Sequence, residues 1–499
     1  DGTVFWSADF GNSPVPGGNL AYPTAADLDN DGDLEIITFN YEKEEVTSSL
    51  FSFNSDGSLL WKAAVPKDFK PSILAADLDN DGDIEIVIKG NNAVNETMAI
   101  VDSMGTIVDS WKLIGHSFSG LVMSAPAIGN FDDDADFEIV SAGPAPEAGH
   151  GIYSDGNFLG YDNTGAIFVY NLDGSIVEGW PVFTKGIPIS SPVVGDIDGD
   201  GKHDIVIGLI HLSDEVPDER YGGLYAFGRK GIVLPGWPAR KGWSFWETPS
   251  LSDIDYGGKL EIAVTELSSM AYLFSFDGKV MPGWPRDMSW ESYYSSIASD
   301  MDGDFFPDIG TTAGGIATCD MEECGGVFAW KSNGRPLQGF PKATEVDARG
   351  PPVLADLDND GLGELIASSD DDFDLGKGSY KYRGSLYVWD LNTFFHPDNA
   401  DWPMYMHDPQ HTGCYDCIKK NVPPYCIDSD GKNPFLSGVV KVDGTPYLDN
   451  CGTANAVSER ICLADKSGNN VVSNYQVKCP TKGSCSKGRC TNLLFDGTL

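Results

Sequence analysis

Helical periodicity is missing from this chain of 499 residues. Short β-type runs separated by turn residues take its place, which argues for an all-β fold. No apolar run reaches the ~18 residues that a membrane span needs, so the chain carries no spanning segment of that kind. Positive charge is scarce: 33 Lys+Arg stand against 75 Asp+Glu, a formal net charge of −42. Such a surface repels nucleic acid and anionic membrane, and neither is expected as a partner. Histidine is rare too, at 7 residues. No nucleophile motif or phosphate loop is present, so no catalytic residue is named. Cysteine is nearly absent from the first 413 residues, where only Cys319 and Cys324 occur. The chain opens on Asp1 rather than Met, which suggests removal of an upstream segment.

What the chain does have is one acidic nonapeptide written seven times. In order, the residues placed to ligate a metal are Asp27, Asp29, Asp31, Asp33 and Glu35 in loop one, and Asp77, Asp79, Asp81, Asp83 and Glu85 in loop two. Loop three offers Asn130, Asp132, Asp134, Asp136 and Glu138; loop four, Asp196, Asp198, Asp200, Lys202 and Asp204. Loop five offers Asp253, Asp255 and Glu261; loop six, Asp300, Asp302, Asp304 and Asp308; loop seven, Asp356, Asp358, Asp360, Leu362 and Glu364. Carboxylates at positions 1, 3 and 5 converge when the loop curls, position 6 needs a residue that tolerates a tight turn, position 7 offers a carbonyl and position 9 closes the shell. That oxygen cage suits Ca²⁺, and about five to seven sites are expected. Strand-like runs flank the loops, so these are not EF-hands. Loops five and six depart from the pattern, with Gly257 at position 5 and Phe305 at position 6.

The loops recur every 47 to 66 residues, and each period holds four strand candidates; in the second they are 72–76, 84–89, 98–102 and 106–111. Four strands per repeat make a propeller blade, so seven loops predict seven blades over residues 1–413. A Trp-containing strand is expected before each loop, at Trp6, Trp61, Trp111, Trp180, Trp237 and Trp284, with Phe340 in the seventh place. The Trp residues are expected to pack blade on blade. Trp402 makes one such strand too many. Either Thr3–Trp6 or the segment near Trp402 closes blade seven, and the other pads the rim or pairs with a second chain.

The pattern x-Pro-x-x-x-Asp-x-Asp-x-Asp-Gly-x-x-Asp/Glu resembles the FG-GAP repeats of integrin α-subunit propellers and their relatives in secreted microbial proteins, including those of VCBS type. The resemblance covers residues 1–413 and implies a seven-bladed propeller. It also implies a ligand face opposite the calcium loops. The long connections there are 142–163, 209–221, 311–325 and 369–383, and Tyr153, Tyr221 and Tyr380 are the ligand-contact candidates. Turns such as Asn54–Gly57 are expected to share the face of the acidic loops.

Residues 414–499 hold ten Lys+Arg and eight Asp+Glu, which leaves −44 on the preceding segment. Eight cysteines crowd there: Cys414, Cys417, Cys426, Cys451, Cys462, Cys479, Cys485 and Cys490. They read as a small disulfide module with strands near 437–442 and 471–477, and Cys319–Cys324 as a local bridge. Zinc is the competing account for Cys414-x-x-Cys417. His407 and His411 are spaced for a metal pair but more readily form a structural turn.

The functional expectation is a secreted or cell-surface adhesion protein that binds a protein or glycan through propeller loops. The alternatives are a subunit of a surface layer or filament, partnered by copies of itself, and a polysaccharide-active propeller enzyme.

Overall fold

The structure is a computed structural model. It describes residues 6–7, 23–40, 47–66, 72–91, 96–113, 124–132, 134–145, 164–210, 222–239, 245–266, 269–288, 292, 294–304, 306–314, 325–358, 360–374, 380–395 and 400–417, and eight strand segments between 426 and 491. Among the described residues every regular element is a β-strand. Seven antiparallel sheets follow one another along the chain. Sheet one holds Thr24–Ala26, Glu35–Asn40, Thr47–Phe53 and Leu59–Pro66. Sheet two holds Ser72–Ala76, Glu85–Asn91, Glu96–Val101 and Ile107–Lys112, each within a few residues of the sequence expectation. Sheets three, five and six repeat the plan, beginning at Ala127–Gly129, Ser250–Ser252 and Ile297–Ser299. Sheet four opens with the short strand Ile187–Pro188, which pairs with the end of Asp204–Ile210; Val193–Gly195 is its innermost strand, and its outermost strand is reduced to the bridges Phe227↔Val233 and Leu224↔Ala239. Sheet seven, Val353–Ala355, Leu362–Asp374 and Tyr380–Phe394, has three described strands.

Burial falls from the first strand to the last. Ala127–Gly129 and the second strand Glu138–Pro144 are buried at every residue, whereas Ile107–Lys112 is mostly exposed. A strand covered on both faces needs apolar residues at successive positions, which is why these runs do not alternate. The outer edge tolerates proline, since an edge strand can lack a donor. Trp61 and Trp111 lie in outermost strands, as expected. Trp180, Trp237 and Trp284 instead sit in the turn just before them, because each Trp-Pro unit cannot continue a hydrogen-bonded ladder.

The tryptophans join sheet to sheet. Trp61 Nε1 donates to Ser103 O of the next sheet at 2.8 Å, Trp237 to Phe276 O at 2.9 Å and Trp284 to Ser332 O at 2.8 Å. The rings of Trp111, Trp180, Trp237 and Trp284 also meet an aromatic of the next sheet, as in Trp180–Phe227 and Trp237–Phe274. The turn glycines make room for this: a Cβ on Gly105 would stand 2.8 Å from Trp61, and Gly105 also adopts φ +84°. Trp6 takes the same seat on sheet one, donating to Ser55 O at 3.1 Å and packing on Phe53.

Residues 401–415 are not an outer strand. Trp402 is fully buried and bridges Ala298 of the innermost strand of sheet six. Leu354 N–H of sheet seven then donates to Pro403 O, Ala25 of sheet one to Pro409 O, and Ala75 of sheet two to Gln410 O. Ile128 of sheet three donates to Thr412 O, and Val194 of sheet four to Gly413 O. Each donor is a residue from the interior of its innermost strand. Sheet five joins through Ser252 Oγ, which donates to Asp401 Oδ2 at 2.7 Å; Tyr415 OH reaches the same oxygen at 3.4 Å. One segment therefore touches all seven innermost strands and lies between them as an axial strap. The spare strand expected near Trp402 is this strap: donors left over along the innermost strands need acceptors.

One further expectation is corrected, while the structural turn expected at His407 and His411 is found. The connection 369–383 is not an irregular loop, since Asp370–Asp374 and Tyr380–Arg383 pair in register as the end of a long hairpin, Asp374↔Tyr380 to Asp370↔Gly384. His407 and His411 do not converge on a shared ligand: His407 Nδ1 lies 2.8 Å from Asp408, and His411 Nδ1 lies 3.0 Å from Thr24 Oγ1. Among the eight last strands, Val439–Val442 and Asn470–Lys478 match the two expected in the tail.

Candidate metal-binding loops

The seven acidic loops each join the first and second strands of a sheet, and one hydrogen bond recurs in all of them. The position-9 carboxylate accepts the backbone N–H of position 2: Leu28 donates to Glu35 at 2.8 Å, Leu78 to Glu85 at 2.9 Å, Phe131 to Glu138 at 2.5 Å and Ile197 to Asp204 at 3.1 Å. Ile254–Glu261, Met301–Asp308 and Leu357–Glu364 complete the set at 3.2, 3.1 and 2.7 Å. The tip curls because position 1 accepts from position 6, as Gly32 N donates to Asp27 Oδ2 at 3.1 Å and Gly201 N to Asp196 Oδ2 at 2.8 Å. This curl puts Gly32 at φ +95° and Gly201 at φ +81°, with Asn30 at φ +60° two residues before Gly32. Gly and Asn are the residues that accept that region cheaply. Ala135 holds position 6 of loop three without a positive φ, and there Asn130 Nδ2 donates to Asp134 O at 2.9 Å instead.

The curl gathers carboxylate oxygens. Ligand atoms of Asp27, Asp29 and Glu35 lie within 4.8 Å of one another, as do those of Asp77, Asp79 and Glu85, of Asp132, Asp134 and Glu138, and of Asp196, Asp198 and Asp204. Two of these oxygens, Asp77 Oδ1 and Asp198 Oδ1, are buried with no hydrogen-bond partner. Buried polar atoms without partners are rare and costly, and lone pairs converging at this spacing fit Ca–O contacts of about 2.3–2.6 Å. Burial, and then the charges of the neighbouring aspartates, push the carboxyls of Glu85, Glu138 and Asp204 up to about 7 and that of Glu261 up to about 8; the position-2 N–H pulls the other way. A cation at the centre removes that strain, and Ca²⁺ would be held there by positions 1, 3, 5 and 9.

Loops five and six hold their carboxylates differently. Loop five has no carboxylate at position 5; Gly257 N donates to Asp253 Oδ1 at 2.7 Å and to Asp255 Oδ1 at 2.9 Å. In loop six the Lys331 ammonium sits 2.5 Å from Asp302 and 2.7 Å from Asp304. Sequence reading did not find this contact. The signal was a lysine at a hairpin position that is neutral or acidic in the other repeats.

The hairpin turns do share a face with the acidic loops. Ser103 and Met104 of one turn line a recess of about 430 Å³ together with Asp29, Asn30, Asp83 and Trp61. Of the ligand-contact candidates, Tyr153 and Tyr221 lie outside the described residues, and Tyr380 lies on the strand Tyr380–Phe394. Cys319 and Cys324 also lie outside them.

Cys414 and Cys417 form a disulfide, with Cα atoms 5.6 Å apart. His203 stands beside them. Its Nδ1 accepts Asn130 N–H at 2.8 Å, so Nε2 carries the proton and faces Asp416 Oδ1 at 3.1 Å. Ligand atoms of His203, Cys414 and Cys417 lie within 4.8 Å of one another, and in this arrangement the two sulfurs are bonded to each other. Cys414 is fully buried, and Tyr415 N donates to Val194 O, so these residues pack with the ring of sheets.

No match was found among curated proteins. The fold is similar to solved structures of low identity. The V. cholerae biofilm matrix protein Bap1 shares 13% identity, with 76% of this chain and 88% of that chain covered and a TM-score of 0.39. Rhamnogalacturonan lyase YesW shares 15% over 81% and 79%, with a TM-score of 0.42. BamB from Moraxella catarrhalis shares 14% over 69% and 96%, with a TM-score of 0.33. The model of the FG-GAP-like repeat matches residues 27–88, from the first acidic loop through the second, and over that segment the chain is similar to this repeat.

Proposed function

We propose that this chain is a calcium-stabilised, seven-bladed propeller of the extracellular space or cell surface that works by contact, holding a protein or glycan partner rather than transforming a substrate. Trp6 supports closure of the ring, since it sits on sheet one as each outer-strand Trp sits on the next sheet. The observation that carries the contact reading is the axial strap. The place where a ring of sheets would receive a substrate along its axis is filled by the chain's own Trp402, Met406 and Cys414, all buried. The disulfide Cys414–Cys417 favours an oxidising compartment. With Trp402 in the strap, strand donation from that segment to a neighbouring copy drops out. Self-assembly then rests on the remainder of the tail.

The test uses the whole chain. Arrays of glycans and surface proteins, read in calcium and again in chelator, should give a saturable, calcium-dependent partner. Turnover of a polysaccharide, lost on changing one carboxylate on the face opposite the calcium loops, would defeat the contact reading. Electron microscopy separates the modes of contact, since polymers of the purified chain identify an assembly subunit.

A further inference from the structure

We propose that loop six carries its own cation: the Lys331 ammonium takes the place of the divalent ion, so this loop keeps its shape without calcium. The proposal rests on the calcium reading of the other loops and marks where that reading stops.

Lys331 opens the hairpin turn between the third strand of its sheet, Gly326–Trp330, and the outer strand. Its N–H donates to Arg335 O at 2.9 Å, and Gly334 N–H donates back to Lys331 O at 2.7 Å. The same place is held by Asn54, Asp102, Asn171, Gly228 and Ser275, each bonded in the same way to a residue four further on. None of those five is a cation. Because hairpin and acidic loop share a face, a long basic side chain at this position reaches into the loop. Lys331 Nζ lies 2.5 Å from Asp302 Oδ2 and 2.7 Å from Asp304 Oδ2, the carboxylates of positions 3 and 5. An ammonium group brings three donors and one full charge, which is what two adjacent carboxylates lack.

A calcium ion at about 2.3–2.6 Å from the same oxygens would stand in contact with the ammonium. The two cannot be held together, so the lysine excludes the ion unless it swings out. The backbone of the loop has also changed. Asp300 Oδ1 accepts from position 4, Gly303 N, at 2.7 Å, whereas Asp27 Oδ1 and Asp196 Oδ1 accept from position 5, Asp31 N and Asp200 N. A lysine near a loop is not sufficient by itself: Lys259 at position 7 of loop five lays its Nζ 3.8 Å over the Phe276 ring.

The experiment compares the wild-type chain with Lys331→Met, stripped of metal and titrated with Ca²⁺ by calorimetry, with bound calcium counted by elemental analysis. In chelator the variant should melt below the wild type, since Asp302 and Asp304 lose their counter-charge. On adding calcium it should recover and bind one more ion per chain than the wild type. Equal melting points in chelator, or equal ion counts in calcium, overturn the proposal. A wild type that binds no calcium would end the reading of the other loops, while the chelator melts still decide the part played by Lys331. If the variant does not fold, amine labelling of the wild type decides: Lys331 should stay protected with and without calcium while the 80%-exposed Lys279 reacts. Labelling of Lys331 that rises on calcium addition overturns the proposal.

Discussion

At the scale of single residues, two buried carboxyls make contrasting predictions. Asp77 Oδ1 is buried and unpartnered at the centre of loop two. Asp77→Asn keeps the shape and removes one charge from the cage, so calcium affinity at that loop should fall by about tenfold or more, because ligand charge sets such affinities. Calorimetry should show one site shifted and the rest unmoved. Glu247 lies outside the loops, and burial alone pushes its carboxyl up to about 8 from an ordinary 4.5. A raised carboxyl means that the unfolded chain releases its proton first. The neutral group costs nothing below about pH 4.5, and stability is lost steadily as pH rises from there to about 8. Glu247→Gln should therefore stabilise the protein at pH 8, by an amount on the order of a few kcal/mol, and change little at pH 5. Equal effects at both pH values in thermal melts would contradict this. The clustering of carboxylates and the left-handed turn positions were legible from residue spacing. Lys331 was not, because a contact between two loops of one sheet depends on which turns share a face.

At the scale of elements, the axial strap is the part with the most consequence. It supplies acceptors to interior residues of six innermost strands, and Asp401 takes the seventh through Ser252. Each such bond contributes roughly 1 kcal/mol net, and losing the acceptor leaves a buried donor unpaired at a cost of about 1–3 kcal/mol. A chain ending at residue 417 should melt cooperatively close to the full-length ring, because it retains the strap and the Cys414–Cys417 disulfide. A chain ending at residue 399 should lose most of its stability or fail to fold. Similar melts for the two would show that the strap does not hold the ring. In sequence the strap announced itself only as a surplus Trp. Its Asp-Trp-Pro resembles the Gly-Trp-Pro of the outer edge, and the same residues serve two places that only packing distinguishes.

For the whole molecule, charge and the proposed calcium are expected to act together. A formal charge of −42 repels itself, and thirty acidic residues lie inside the loops. An ion that binds only the folded chain stabilises it by about 2.7 kcal/mol per site at a hundredfold its dissociation constant. Several occupied loops should therefore raise the melting temperature substantially in calcium, with the excess lost in chelator. Magnesium should substitute poorly, since it demands fewer ligands and a tighter shell. A melt indifferent to chelator would remove calcium from the account of stability.

Sequence alone determined what is local and repeated: the acidic loop, its glycine turn, the four-strand period and the aromatic at each sheet junction. These are legible because a repeat shows the same physical demand seven times, and an exception then stands out. Tertiary structure decided what is singular. Residues 401–415 became an axial strap because the innermost strands of seven sheets present donors that no neighbouring strand can meet. Residues 369–374 and 380–383, irregular in composition, became paired strand because the two long strands continue their register. Lys331 became a counter-ion because a turn remote in sequence closes over its own sheet's acidic loop. In all three the deciding partner is far along the chain, and nothing in a local window of residues names it.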